Sequence, residues 1–118
     1  MKNTKNCNFS FAGIKSQVKK FLKENPSVVD NEEDIRSLCY SFQKCVNEHL
    51  EDRLNRAIMW CQKNYLDMKS IVVSGGVACN QAIRSHITQV ASLHNLVVHA
   101  PSPSLCRDNG SLIIYLNF

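Results

Sequence analysis

The chain has 118 residues and a net charge of +4, with 44% of its residues apolar and 20% charged. That length fits one domain or part of one, long enough to bury a core, and the composition excludes a disordered chain. No apolar run approaches the roughly 20 residues that span a bilayer, and the opening residues do not read as a signal peptide.

The charge is uneven: residues up to Glu24 carry +5 and the remainder −1. Phe9 and Phe11 alternate as on a short strand, and Gly13 leads into a helix expected from about Ile14 to Glu24. Lys15, Lys19 and Lys23 share one face of it, opposite Val18, Phe21 and Leu22. Such a face is the solvated side of an amphipathic helix, and it also suits contact with RNA. Asn25-Pro26-Ser27 ends this helix, because the residue before a proline avoids the α region. The acidic stretch from Asp30 to Asp34 reads as the first turn of the next helix, where negative charge suits the dipole.

That next helix is the clearest element. Ile35, Leu38, Cys39, Phe42, Cys45, Val46, Leu50, Leu54, Ala57, Ile58, Cys61 and Tyr65 recur at three- and four-residue spacing, which predicts a helix of some 30 residues lying across a core. It reads as scaffold, with His49 at the edge of the stripe and Trp60 as a packing or interface aromatic. Among the six cysteines there is no C-x-x-C pair, so a zinc ribbon or thioredoxin-type site is disfavoured. Cys39, Cys45 and Cys61 fall on or beside the stripe, where a reduced thiol acts as a small hydrophobe.

Ile71-Val72-Val73 reads as a buried strand, Gly75-Gly76 as the turn after it, and Asn80 as the start of a helix carrying Ile83, Ile87, Val90 and Ala91. Unpaired N–H groups and the helix dipole at such a corner favour an anion or nucleotide. His94-Asn95 then turns into a second strand candidate, Leu96 to Ala100, so strand, helix and strand predict a parallel βαβ unit. Pro101-Ser102-Pro103-Ser104 forms a stiff loop that delivers Asp108, followed by the apolar run Leu112 to Leu116. Gly75-Gly76 and Asp108 both follow strand candidates, so both belong at one crevice beyond the strand ends. A carboxylate there suits a divalent metal beside phosphate, although Asp108 alone cannot hold one. As a bland alternative, Asp108 caps or turns the segment that follows it.

Three stretches carry a family resemblance. Asn8-Phe9-Ser10-Phe11-Ala12-Gly13-Ile14-Lys15, Ser74-Gly75-Gly76-Val77-Ala78-Cys79-Asn80 and Cys106-Arg107-Asp108-Asn109-Gly110 resemble consecutive motifs of the TsaD family. These are the tRNA N6-adenosine threonylcarbamoyltransferases, once described as glycoprotein endopeptidases. Order and approximate spacing agree, the resemblance covers nearly all of the chain, and the first motif is most similar to the bacterial and mitochondrial branch.

The resemblance implies an α/β, actin-like ATPase (ASKHA) fold of two lobes with a metal and a nucleotide between them. Residues 1–118 would form part of the C-terminal lobe, including the long helix and the βαβ unit, with the N-terminal lobe absent. The implied reaction moves threonylcarbamoyl from threonylcarbamoyl-AMP to N6 of adenosine 37 in tRNAs reading codons that start with A. By the same carry-over Asn80 binds the adenylate, Gly75 and Gly76 let it approach, and Asp108 is one ligand of a divalent iron- or zinc-type ion. The implied partners are tRNA, threonylcarbamoyl-AMP and either a second copy or other proteins of the t6A machinery. The implied compartment is the mitochondrion, otherwise the cytoplasm.

The chain also departs from the pattern. It has no His-x-x-x-His pair and no second glycine-rich substrate loop, so the remaining metal ligands are missing from it. Arg107 stands where a small polar residue is usual, and Tyr115-Leu116-Asn117-Phe118 drifts from the family's next helix. The expectation is a piece of the enzyme, inactive alone. Its alternatives are a non-catalytic tRNA- or protein-binding module and, more remotely, a metallopeptidase, for which no H-E-x-x-H pattern exists.

Overall fold

Local polar side chains set where the first helices start and stop. Ser10 Oγ accepts from the Ala12 N–H at 3.2 Å and so opens α1, Ala12–Glu24. At its end the Asn25 backbone N–H and side-chain amide both donate to Phe21 O, at 2.9 and 3.0 Å. Pro26 cannot continue the helix and begins a 3-10 turn, Pro26–Asp30. Asn31 Oδ1 then accepts from the Glu33 N–H at 2.9 Å, and α2 runs over Glu32–Asn64, 33 residues. Glu32, Glu33 and Asp34 fill its first turn and Lys63 its last, both favourable to the macrodipole. The computed structural model describes residues 7–64, 68–102 and 106.

The chain divides into two compact units, Met1–Arg56 and Ala57–Phe118. In the first, the expected strand at Phe9 is replaced by an aromatic cluster. Phe9 and Phe11 lie edge-on to each other, with centroids 5.7 Å apart, and both lie edge-on to His49, at 6.5 and 5.8 Å. No strand pairs with residues 8–10 among the described residues, so alternation alone does not hold them extended. The expected stripe on α2 is present but only partly covered. Val46 is buried, whereas Ile35 and Phe42 are 38% and 45% exposed, and Cys39 and Cys45 face solvent. Within this unit α1 buries none of its own residues, so it cannot cover the whole stripe. The thiols at positions 39 and 45 are therefore surface groups, not core filling.

The second unit contains the predicted βαβ. β1, Ser70–Val72, pairs in parallel with β2, Val97–His99, placing Ser70 opposite Val97 and Val72 opposite His99. Backbone bonds from Val73 N–H to His99 O (2.9 Å) and from Val97 N–H to Lys69 O (3.0 Å) extend the ladder. The crossover is α3, Gln81–Leu93, which packs on β2 with Ile83, Val90 and Ala91 buried. The end of α3 is a Schellman turn. Leu96 N–H donates to Ala91 O and Asn95 N–H to Ser92 O, while Asn95 takes the left-handed conformation at φ +58°. That turn buries Leu96 and aims the chain into β2. The strands themselves are half-covered instead of buried: Val72 is 70% exposed and Val97 59%, while Ile71 and Val98 point inward. A two-stranded sheet with one helix on it has one covered face.

Among the described residues the fold is thus mostly helical with a small parallel sheet. No helix there is long and apolar enough to cross a membrane.

Gly75 and Gly76 play different structural parts. Gly75 sits at φ +100°, ψ 165°, a region essentially reserved for glycine, whereas Gly76 has no positive φ. A Cβ on either would meet nothing within 4 Å. Gly75→Ala should therefore destabilise the protein by about 1–3 kcal/mol through backbone strain, and Gly76→Ala by less than about 0.5 kcal/mol. Urea denaturation of the two variants side by side checks this; equal losses would contradict it.

Candidate functional site

The corner after β1 is built in three steps. Val73 leaves the strand, Gly75 reverses the backbone, and a 3-10 turn over Gly76–Cys79 intervenes before α3. Two short backbone bonds hold this turn, Ala78 N–H to Gly75 O at 2.9 Å and Asn80 N–H to Val77 O at 3.0 Å. Ala78 is buried beneath it, while Val77 and Cys79 face out.

Asn80 is the N-cap of α3. Its Oδ1 accepts from the Ala82 N–H at 3.0 Å and the Ile83 N–H at 3.2 Å. The sequence predicts unpaired N–H groups aimed at a ligand, and here two of them are already taken. An asparagine preceding a helix satisfies its first donors intramolecularly, at a gain of about 1 kcal/mol. The same contacts fix the Asn80 side chain on the outer edge of the turn.

Arg84 is a site residue that periodicity did not single out. One helical turn beyond Asn80, it reaches back so that Nε donates to Ala78 O at 3.0 Å. Its Nη2 is buried with no hydrogen-bond partner among the described residues. The available signal was its position, four residues after the cap on the side of the helix that faces the preceding turn. Beside it lies Cys106, fully buried, whose Sγ donates to Pro101 O at 3.5 Å. Burial pushes the Cys106 thiol up, contact with Cys79 adds to the rise, and the Arg84 charge opposes it.

A second concave surface lies in the first unit. A cavity of about 590 Å³ is lined by Ser10, Gln17, Cys45, Glu48, His49 and Asp52, among others. His49 Nε2 is buried there without a hydrogen-bond partner among the described residues. The rings of Phe9 and Phe11 lie edge-on to His49, one of the residues that line this cavity. Asp52 is held by Arg56, whose Nε lies 3.2 Å from both carboxylate oxygens and whose Nη2 lies 3.1 Å from Oδ1. That hydrogen bond holds the Asp52 carboxyl below its ordinary value of 3.8, against a smaller upward push from desolvation.

Lys15, Lys19 and Lys23 all lie on α1 and face solvent. Asp108, with Arg107, Asn109 and Gly110, lies outside the described residues. Among those residues no group of three His, Cys, Asp or Glu side chains is assembled to hold a metal ion.

With this geometry in hand, the sequence matches the family described as tRNA N6-adenosine threonylcarbamoyltransferase over residues 1–115. The chain belongs to the TsaD family. A tRNA N6-adenosine threonylcarbamoyltransferase of Geotalea uraniireducens is 38% identical over 90% of this chain and 29% of its own length. The Arabidopsis thaliana protein named "Probable tRNA N6-adenosine threonylcarbamoyltransferase, mitochondrial" is 36% identical over 98% of this chain and 26% of its own. The corresponding transferase of Neorickettsia sennetsu is 36% identical over 98% and 33%. The chain therefore spans about a quarter to a third of the length of these curated relatives. TsaD membership implies an ASKHA-type fold, and the βαβ unit with its long preceding helix is compatible with a portion of one.

Two outcomes follow from the side-chain geometry. Asn80→Ala should cost about 1 kcal/mol by uncapping α3, while Asn80→Asp or Asn80→Ser keeps most of it; thermal melts of the three variants read this directly. Asp52 has a lowered native pKa, so its share of stability is fully present above its ordinary value of 3.8 and fades as pH falls through the lower native value. Asp52→Asn should remove that part of the acid dependence, measured as the urea midpoint against pH. An unchanged acid limb would remove the assignment.

Proposed function

We propose that this chain is the C-terminal-lobe portion, residues 1–118, of an enzyme that transfers threonylcarbamoyl from threonylcarbamoyl-AMP to N6 of adenosine 37 of tRNA. The observation that carries the reading is the corner at Gly75, Gly76 and Asn80. Gly75 needs to be glycine for its backbone angle, but Gly76 needs it neither for φ nor for space. A glycine with no use inside the fold is accounted for by a ligand that approaches its backbone closely. Asn80 is held rigidly beside it by its own capping contacts, ready to orient an adenylate. Arg84 adds a guanidinium whose Nη2 lacks a partner among the described residues, and the phosphate of an adenylate is the anion that suits it.

Asp108 is the proposed protein ligand of a divalent ion, of iron or zinc type, whose other ligands come from outside the described residues. Those residues do not form a metal centre on their own. What they supply is binding and orientation: the open Gly76 backbone, the fixed Asn80 side chain and the Arg84 cation.

The tRNA is proposed to meet the Lys15, Lys19 and Lys23 face of α1, where ammonium groups in water exchange counterions for phosphates. A second copy or another t6A-machinery protein is the proposed protein partner. The mitochondrion is the proposed compartment, after the Arabidopsis relative's name.

Transfer measured with the whole protein and threonylcarbamoyl-AMP tests the reading. Gly76→Ala should leave stability intact and weaken adenylate binding by tenfold or more, on the order of 1.4 kcal/mol. Full activity in that variant would remove the corner from the site. Persistent tRNA binding with no transfer would favour the non-catalytic binding module. Replacing Lys15, Lys19 and Lys23 with alanine should lower the dependence of tRNA affinity on salt, by about 0.7–0.9 in log–log slope for each lysine on a phosphate. An unchanged affinity and slope would place the RNA elsewhere.

A further inference from the structure

The cavity of about 590 Å³ lies wholly within the first unit, and the proposed transfer site does not use it. Glu48, His49 and Asp52 line it from α2, where their three- and four-residue spacing sets them on one face. Gly13, Ile14 and Gln17 line it from the first turns of α1. No lysine or arginine is among the described residues that line it.

The polar lining is rich in acceptors that the fold leaves unused. His49 Nε2 is buried with no hydrogen-bond partner among the described residues; with the ring proton on Nδ1, that nitrogen accepts. Glu48 has no ion-pair partner among them, whereas Asp52 is held by Arg56 Nη2 at 3.1 Å. Ionised carboxylates only accept, and the Gln17 amide oxygen adds another acceptor. Gly13 keeps the space open. It lies in a helix, where alanine is more favourable, has no positive φ, and a Cβ there would meet nothing within 4 Å.

We infer that this cavity is a binding site for an aliphatic polyamine, a linear chain of methylenes carrying several ammonium groups. Ammonium groups have donors and no acceptor, so they match a lining of acceptors, and their charge meets the unpaired Glu48 carboxylate. One nitrogen donates to Glu48, another to His49 Nε2, and the methylenes between them lie along Ile14. A metal ion suits the cavity less, because no group of three ligating side chains is assembled among the described residues. The chain as a whole carries +4, so its overall charge does not attract a polycation, and saturable binding reports the cavity. The inference rests on the first unit alone and stands whether or not the proposed transferase reading holds.

The test is isothermal titration of the full chain, freed of RNA, with spermidine at a physiological ionic strength of about 0.15 M. One saturable site per chain is expected. Glu48→Gln, a change at an exposed position, should weaken binding by about tenfold. Glu33→Gln makes the same change of charge on α2 outside the cavity and should leave binding as it is. Gly13→Leu extends into open space, so it should keep the melting temperature and abolish binding. The absence of saturable binding at millimolar spermidine, equal losses in Glu48→Gln and Glu33→Gln, or full affinity in Gly13→Leu would overturn the inference. The two glutamate variants are read at the surface of α2, so the test does not depend on how Gly13→Leu folds.

Discussion

The parallel pairing of Ser70–Val72 with Val97–His99 is the constraint on which the second unit depends. Parallel strands cannot be joined by a tight turn, so the chain between them must cross over, and α3 is that crossover. Each end of α3 is then fixed by an asparagine with a different task. Asn80 accepts two N–H groups at the start, and Asn95 adopts the left-handed turn at the finish. Between these stops the helix buries Ile83, Val90 and Ala91, and the turn beyond it buries Leu96. Fully burying an aliphatic side chain of the size of Ile83, Val90 or Leu96 contributes about 1.5–3 kcal/mol, so these few residues are the main favourable term for a very small sheet.

The same pairing creates the candidate site. Because β1 and β2 run the same way, the residues leaving their carboxyl ends emerge on one side: Gly75 to Asn80 after β1, and the chain toward Cys106 after β2. Arg84 sits there because α3 begins at this corner and its first turn folds back over Ala78 O. A cation, a fixed amide and an open glycine backbone thus gather where a parallel sheet ordinarily presents its ligand.

The first unit is held differently. Its helices are punctuated by Ser10, Asn25 and Asn31, and its surface is laced with pairs four residues apart, Lys20–Glu24, Arg36–Glu32 and Arg56–Asp52. Exposed pairs of this kind contribute only about 0.3–0.5 kcal/mol each. The aromatic contacts of Phe9 and Phe11 with His49 are its main tertiary feature, and His49 also lines the cavity. Much of the apolar stripe of α2 stays exposed, including Ile35 and Phe42. An apolar helix face of that kind marks surface suited to burial against further protein.

The sequence by itself determined both long-range patterns that rest on period and punctuation. The three- and four-residue spacing from Ile35 specified α2, Pro26 specified the end of α1, and the order of apolar run, Gly-Gly, helix and apolar run specified the βαβ unit. Three ordered motifs specified the family. What only the tertiary structure decided were the contacts between residues distant in sequence. Alternation at Phe9 and Phe11 is the same pattern whether a strand partner exists or His49 takes the rings instead. A run such as Ile71-Val72-Val73 does not record how many faces of its sheet are covered. The burial of Cys106 and the return of Arg84 to Ala78 O depend on where the crossover brings the chain. Local sequence fixes the backbone torsions and the caps; which side chains meet is set by chain closure over tens of residues, and no local pattern encodes it.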